Sequence, residues 1–150
     1  MGQDILMIAN PREYVSHSST TSTKWLSAEE FWHQEDLVKK HDQVLWQSFN
    51  THSKYQRTVQ QAMRFAVAVD DNTYYLGSAF VIEVGHKWLV EYVMTDPEQQ
   101  GRGIGSAIMD RIMSEAKAAQ VTWVILNCNP TKNSGQLPAF YTKFGFKKVA

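Results

Sequence analysis

Apolar and polar positions change their spacing several times along the chain, and each change marks an element. Residues 4–9, DILMIA, form a short apolar run stopped by Asn10-Pro11, which predicts a strand. Residues 16–23, SHSSTTST, are polar and low in complexity. They read as a connecting loop, or as a loop that shapes an acceptor site. Ser27 followed by Glu30 has the spacing of a capping box, so a helix is expected to start there. Phe31, Leu37, Val38, Val44, Leu45 and Phe49 then recur at mixed three- and four-residue intervals. That pattern predicts one broken helix or two over 28–61. Trp32, Trp46 and Phe49 read as core or groove wall.

Three strand-like runs follow, at 63–69, 73–84 and 87–95. Asp70-Asp71-Asn72 and Gly85-His86 separate them and Asp96-Pro97 ends the last, which predicts an antiparallel meander. Beyond Pro97 the period lengthens. Ile104, Ile108, Ile112 and Ala116 return every fourth residue, with Ala107 and Ala119 beside them. Asp110, Arg111, Ser114 and Lys117 lie outside this stripe, so an amphipathic helix is expected. Residues 121–128, VTWVILNC, are apolar almost throughout, as in a strand buried on both faces. Pro138 opens a short helix over 138–144, Gly145 ends it, and 146–149 start a last strand. The strand, helix and strand across 87–128 form a right-handed crossover of parallel strands. The predicted class is therefore a mixed α/β fold, with helices covering a mixed sheet.

Composition narrows the classes of function. A chain of 150 residues fits one domain, and at that size roughly 68–70% of the unfolded surface is buried without a disulfide or metal staple. Lys plus Arg equal Asp plus Glu at 15 each, which gives no support for a nucleic-acid partner. Cys128 is the single cysteine, so no intrachain disulfide forms. Its apolar surroundings read as a small buried hydrophobe in a reducing compartment. No basic stretch followed by an apolar run opens the chain, and Leu6 stands where a myristoylation motif needs Ser or Thr. The apolar runs reach about six residues against the roughly twenty that span a bilayer, so no membrane partner is expected and the cytoplasm is the expected location. The five histidines show no paired ligand spacing, so no metal is expected.

The chemistry concentrates in Gln100-Gly101-Arg102-Gly103-Ile104-Gly105-Ser106, between a predicted strand and the strongly periodic helix. Backbone N–H groups at a helix start lack partners in the chain, and the helix dipole adds positive potential. Glycines admit a pyrophosphate close to the backbone, and Arg102 adds a charge-assisted contact. No Asp or Glu lies between Gln99 and Met109 to repel it. A P-loop is excluded because no Gly-Lys is followed by Ser or Thr. A dinucleotide fingerprint is excluded because Ser106 replaces its third glycine and Val121-Thr122 replace its acid. A glycine turn that only lets strand and helix pack closely stays open as the alternative.

Gln100-x-x-Gly103-x-Gly105 resembles the acetyl-CoA signature of the GNAT N-acetyltransferase family, with Asp96-Pro97-Glu98 as the approach to it. Phe140-Tyr141-Thr142-Lys143-Phe144-Gly145-Phe146 resembles a second family element. The resemblance implies a three-layer fold whose central sheet joins an antiparallel N-terminal meander to a splayed pair of parallel strands, with helices on both faces. It implies a single acyltransferase domain over 1–150. Residues 1–62 are then a variable acceptor-side region and 63–150 the acetyl-CoA-binding core. It implies transfer of an acetyl group from acetyl-CoA to an amine, of a small molecule or a protein, by direct attack. Backbone groups of Val93, Met94 and Thr95 would meet the pantetheine arm. Gln100, Gly101, Arg102, Gly103, Ile104, Gly105 and Ser106 would hold the pyrophosphate. Asn133 stands one residue from the family's polar position, which Ser134 occupies here. Tyr141 is either the acid that protonates the departing thiolate or a wall of the channel.

The acceptor's base is sought first in Glu91, then in Glu83, then in an ordered water. Counted by twos, Glu91, Val93 and Thr95 share one strand face, and partial burial there raises a carboxyl pKa. In the family two strands usually follow the Gly-Phe pair, one returning into the sheet, whereas this sequence ends at Ala150. The 121–128 strand is then expected to gain cover from residues 4–9 or from a second subunit in a homodimer. A GNAT-fold module without catalysis, serving as a binding or structural part, is the second reading.

Overall fold

The capping box predicted at Ser27 forms. Its Oγ accepts from the Glu30 N–H at 3.1 Å, and the Glu30 carboxylate accepts from the Ser27 N–H at 2.8 Å. Helix α1 (Ala28–Trp32) starts there, closes at His33, and gives way to α2 (Glu35–Phe49). Among the described residues the mixed spacing therefore encodes two helices, and 51–61 lie outside those residues. Leu37, Val38, His41, Val44 and Leu45 are the buried face of α2, one stripe at helical spacing. Asn50 ends it in the left-handed conformation at φ 55°.

The computed structural model describes residues 4–17, 19–50, 63–130 and 135–149. Its strands are β1 (Ile5–Ala9), β2 (Ser22–Ser27), β3 (Met63–Val69), β4 (Tyr75–Val84), β5 (Lys87–Thr95), β6 (Trp123–Cys128) and β7 (Lys147–Lys148). They make one seven-stranded sheet in the order β2-β3-β4-β5-β6-β1-β7. Strands β3, β4 and β5 are the predicted meander, and β5 with β6 is the predicted parallel pair. The crossover between them is α3 (Ile104–Ala118), and α4 (Leu137–Thr142) precedes β7.

Helices cover both faces. Ile104, Ala107, Ile108, Met109, Ile112, Met113 and Ala116 of α3 are buried against one face, together with Phe144 and Phe146. Helices α1 and α2 close the other, where the Phe31 ring stacks on Phe65 with centroids 4.0 Å apart. Each large side chain buried in these layers contributes about 1.5–3 kcal/mol.

Two departures from the sequence reading concern the sheet edges. Residues 22–23 belong to β2 rather than to a loop, pairing with Val69 and Ala68. Trp25 reaches one core layer, stacked on Trp88 at 5.5 Å, while Leu26 reaches the other. The expected open edge of 121–128 is covered by the N-terminal strand. Strand β1 pairs antiparallel with β6 from Ile5↔Cys128 to Ala9↔Val124, so this edge needs no second subunit. Beyond β1 lies β7, two exposed lysines paired with Met7 and Ile8. A short, charged strand is a poor template for further pairing.

Candidate active site

The site begins with an irregularity in β5. Phe80 pairs with Glu91 and Ser78 with Met94, so three steps on β5 face two on β4. The extra residue is accommodated at Tyr92, which holds a positive φ of 52°. A bulge bends its strand and re-aims side chains. Strain of this kind costs on the order of 1 kcal/mol and persists where packing enforces it. Here the Tyr92 ring packs edge-on against Phe49 at 4.9 Å and lies 5.6 Å from Phe80.

The bulge separates the parallel strands. Pairing of β5 with β6 runs from Lys87↔Trp123 to Val90↔Leu126 and ends there, while β6 continues beside β1 through Cys128. Residues 91–95 stay attached to β4 and, among the described residues, have no strand partner towards β6. The gap opens into a cleft of about 510 Å³. Of the predicted residues, Glu91, Val93, Met94, Thr95, Gln100, Gly105 and Tyr141 line it. Phe49 and Ser48 from the end of α2, Tyr92, Asn127 and Phe140 join them. Phe49, which the sequence reads as core or groove wall, is such a wall, whereas Tyr92 carried no sequence signal, because nothing local foretells a bulge that turns it towards Phe49. Asn127 did carry one, as a polar residue inside an apolar strand.

The bulge also corrects the reading of one face for Glu91, Val93 and Thr95. Glu91 lies opposite Phe80, on the side of α1 and α2, whereas Val93 packs with the core beneath α3. Counting by twos fails across an inserted residue. The raised carboxyl pKa expected for Glu91 is present, with burial as its cause. Tyr141 is 6% exposed, with its ring against Phe140 at 5.0 Å and Phe146 at 6.0 Å. Burial, then the neighbouring Cys128 thiol, pushes its phenol above the usual tyrosine value.

The glycine turn occupies one end of the cleft. Asp96 is buried and sets its approach. Its backbone N–H donates to the Leu76 carbonyl at 2.8 Å, its carboxylate accepts from the Glu98 N–H at 3.1 Å, and Lys40 lies 3.3 Å from it. Gly101 and Gly103 have φ of 82° and 72°, and a side chain built on either would meet nothing within 4 Å. Gly103 caps α3 with no side-chain hydrogen bond, and the first turn of α3 carries no acid. The first amides of α3 thus have no side-chain cap beside space for a ligand. That arrangement suits a diphosphate, so the residues present fit acetyl-CoA.

Arg102, Gly103 and Ser106 line a second hollow of about 410 Å³, together with His17, residues 19–21, Asp110 and Lys143. Arg102 also donates to the Gln99 side chain. The polar N-terminal segment is anchored here. The Asp110 carboxylate accepts from the Tyr14 hydroxyl, from Ser16 Oγ at 3.1 Å and from the His17 N–H at 2.8 Å. The segment therefore borders the hollow by the glycine turn and not the cleft at the bulge. The Ile104 side chain is buried in the core, which leaves its backbone for a ligand. Gly101 lines neither cavity, and Asn133 lies outside the described residues. Among the described residues no group of three or more His, Cys, Asp or Glu side chains could hold a metal ion, and no helix is long and apolar enough to cross a membrane.

Comparison with known proteins agrees with this geometry. The family model for the acetyltransferase (GNAT) domain matches residues 61–148, more than half of the chain. The chain belongs to the GNAT acetyltransferase family. It is 38% identical over 63 residues to glucosamine 6-phosphate N-acetyltransferase 1 of Oryza sativa subsp. japonica, a match that covers 42% of this chain and 33% of that protein. A GCN5-related N-acetyltransferase from Sphaerobacter thermophilus superposes with a TM-score of 0.76 at 14% identity, over 97% of this chain and 48% of the other. A putative GNAT-family acetyltransferase from Novosphingobium aromaticivorans gives 0.73 at 16% identity, over 97% and 60%. The chain thus spans about a third of the length of the curated relatives it matches.

Proposed function

We propose that this chain is an N-acetyltransferase that moves the acetyl group of acetyl-CoA onto a primary amine by direct attack. The observation that carries the reading is the continuity of the cleft. It runs along the unpaired stretch of β5 from Gln100 and Gly105 at the glycine turn to Glu91 at the bulge, with Tyr141 on its wall. The four residue steps from Glu91 to Thr95 span about 13 Å in extended strand.

Acetyl-CoA supplies the thioester carbon that the amine attacks. The α3 amides and Arg102 would hold its diphosphate, and the edge of β5 at Val93, Met94 and Thr95 offers backbone groups to the pantetheine amides. An N–H of that edge is the donor suited to polarise the thioester carbonyl. Glu91 takes the proton that the nitrogen sheds as the N–C bond forms. The C–S bond breaks, and the Tyr141 phenol protonates the leaving thiolate. Solvent then carries the proton from Glu91 back to Tyr141, so both groups are restored. The raised pKa of Tyr141 keeps it protonated at neutral pH, as an acid must be, and the raised pKa of Glu91 brings it closer to that of a useful base.

The test is thiol release from acetyl-CoA with a panel of amines, with the product identified by mass spectrometry. Acetylated amine and free thiol in equal amounts support the reading. Tight acetyl-CoA binding without turnover on any amine favours the second reading, a binding module on the same fold. The curated relatives are named for glucosamine 6-phosphate, so that amine belongs in the panel.

A further inference from the structure

Ser48, Phe49, Glu91 and Tyr92 line the cleft at the bulge and Tyr141 lines it too, while Phe140 lies against Gly105 at the glycine turn. Glu91 is the only carboxylate among the described residues lining the cleft, and no Lys, Arg or His is among them. Three described cations around the glycine turn serve elsewhere. Lys40 pairs with Asp96 at 3.3 Å, Lys143 sits over the Phe140 ring at 5.2 Å and lines the second hollow, and Arg102 bonds to Gln99. Among the described residues no ion pair to Glu91 forms, and burial raises its pKa. A half-buried carboxylate among aromatic walls is short of one thing, a cation. An ammonium supplies it, and ring faces add to the attraction.

We propose that the acceptor is a primary alkylamine with an apolar or aromatic body and no anionic group, selected by Glu91. The proposal rests on the acetyltransferase reading above and deepens it. A phosphate or carboxylate on the acceptor would enter a cleft that offers it no described cation and one like charge. An unpaired buried anion and a like-charge contact both disfavour binding. The glycine turn is the described part of the site that welcomes anions, and the cofactor's diphosphate takes it. Glu91 then attracts the ammonium, takes its first proton and passes it to solvent, and is ionised again to take the second as the neutral amine attacks.

The experiment compares two matched pairs, phenethylamine with phenylalanine and glucosamine with glucosamine 6-phosphate. Each ligand's affinity is measured on the full chain by NMR titration, and its kcat/KM by thiol release. The expected result is that the anion-free member of each pair binds and reacts at least about tenfold better, a factor typical of one misplaced charge. Glu91→Gln is expected to weaken phenethylamine binding and to bring both ratios towards one. Equal or better binding of phenylalanine or glucosamine 6-phosphate overturns the proposal, as does failure of phenethylamine and glucosamine alike to bind. So does a ratio unchanged in Glu91→Gln. A protein that binds acetyl-CoA but favours the anionic acceptors loses only the substrate class. A protein that binds no acetyl-CoA loses the acetyltransferase reading itself, and the NMR affinities still decide whether the cleft selects amines by charge.

Discussion

Glu91 and Tyr141 both have raised pKa values, yet the shifts would act in opposite senses on the proposed reaction. A base is useful only when ionised, so turnover is expected to rise with pH through the elevated pKa of Glu91, above the usual carboxylate range of about 4.3. A profile of kcat/KM against pH checks this, and Glu91→Gln should lose that limb. The same group weighs on stability with a fixed sign. Its folded-state pKa exceeds the unfolded one, so it carries no penalty below the unfolded value and becomes destabilising as pH rises through the folded value. Glu91→Gln is therefore expected to melt higher than the parent at neutral pH, with the difference vanishing in acid. In the proposed mechanism Tyr141 instead keeps its proton. Tyr141→Phe is expected to lower kcat by about 10²-fold while leaving acetyl-CoA affinity nearly unchanged, because the ring still lines the wall. An unchanged kcat would leave Tyr141 a wall residue.

Both residues line the cleft, Tyr141 having been offered by a motif and Glu91 by its place as an acid on β5. What was not legible was the direction Val93 takes relative to Glu91. That depends on the bulge at Tyr92, and a bulge is set by pairing with β4 rather than by local preference.

At the scale of elements, the glycine turn and α3 work as one unit whose position depends on Gly77. A Cβ at Gly77 would lie 2.6 Å from the Met94 carbonyl oxygen and 3.0 and 3.2 Å from the Ile104 and Ile108 side chains. Gly77 therefore lets the start of α3 settle against β4 and β5 beside the bulge. Gly77→Ala is expected to cost about 1–3 kcal/mol in denaturant unfolding, since backbone cannot move aside as a flexible side chain can. The sequence shows Gly77 inside a strand but not what presses on it. Helix α3, by contrast, was plain from its four-residue repeat, because a single stripe faces one layer. Strand β2 was hidden for the opposite reason. As an edge strand it needs few apolar residues, and Ser22, Thr23 and Lys24 look like loop until β3 pairs with them.

For the molecule as a whole, the N-terminal strand is what completes the sheet. Strand β1 inserts between β6 and β7 and buries Met7 and Ala9 in the core beneath α3. Deleting residues 1–9 is expected to lower the melting temperature and to raise the mean mass in light scattering relative to the intact chain, because β6 is left with an open edge. Equal mass and equal melting temperature would show that β1 is dispensable. The sequence offered this strand as one of two covers for β6, and only its register with Cys128 through Val124 chose between them.

The central claim is that the open amides after Gly103 receive the diphosphate of acetyl-CoA. Calorimetric titration of acetyl-CoA into the parent chain and into Gly103→Asp tests it most directly. Aspartate tolerates the left-handed backbone better than most residues and places a negative charge at the helix start. The expected result is one site per chain in the parent, with affinity at least about tenfold weaker in Gly103→Asp at a similar melting temperature. No binding by the parent, or equal affinity in the two, would contradict the account.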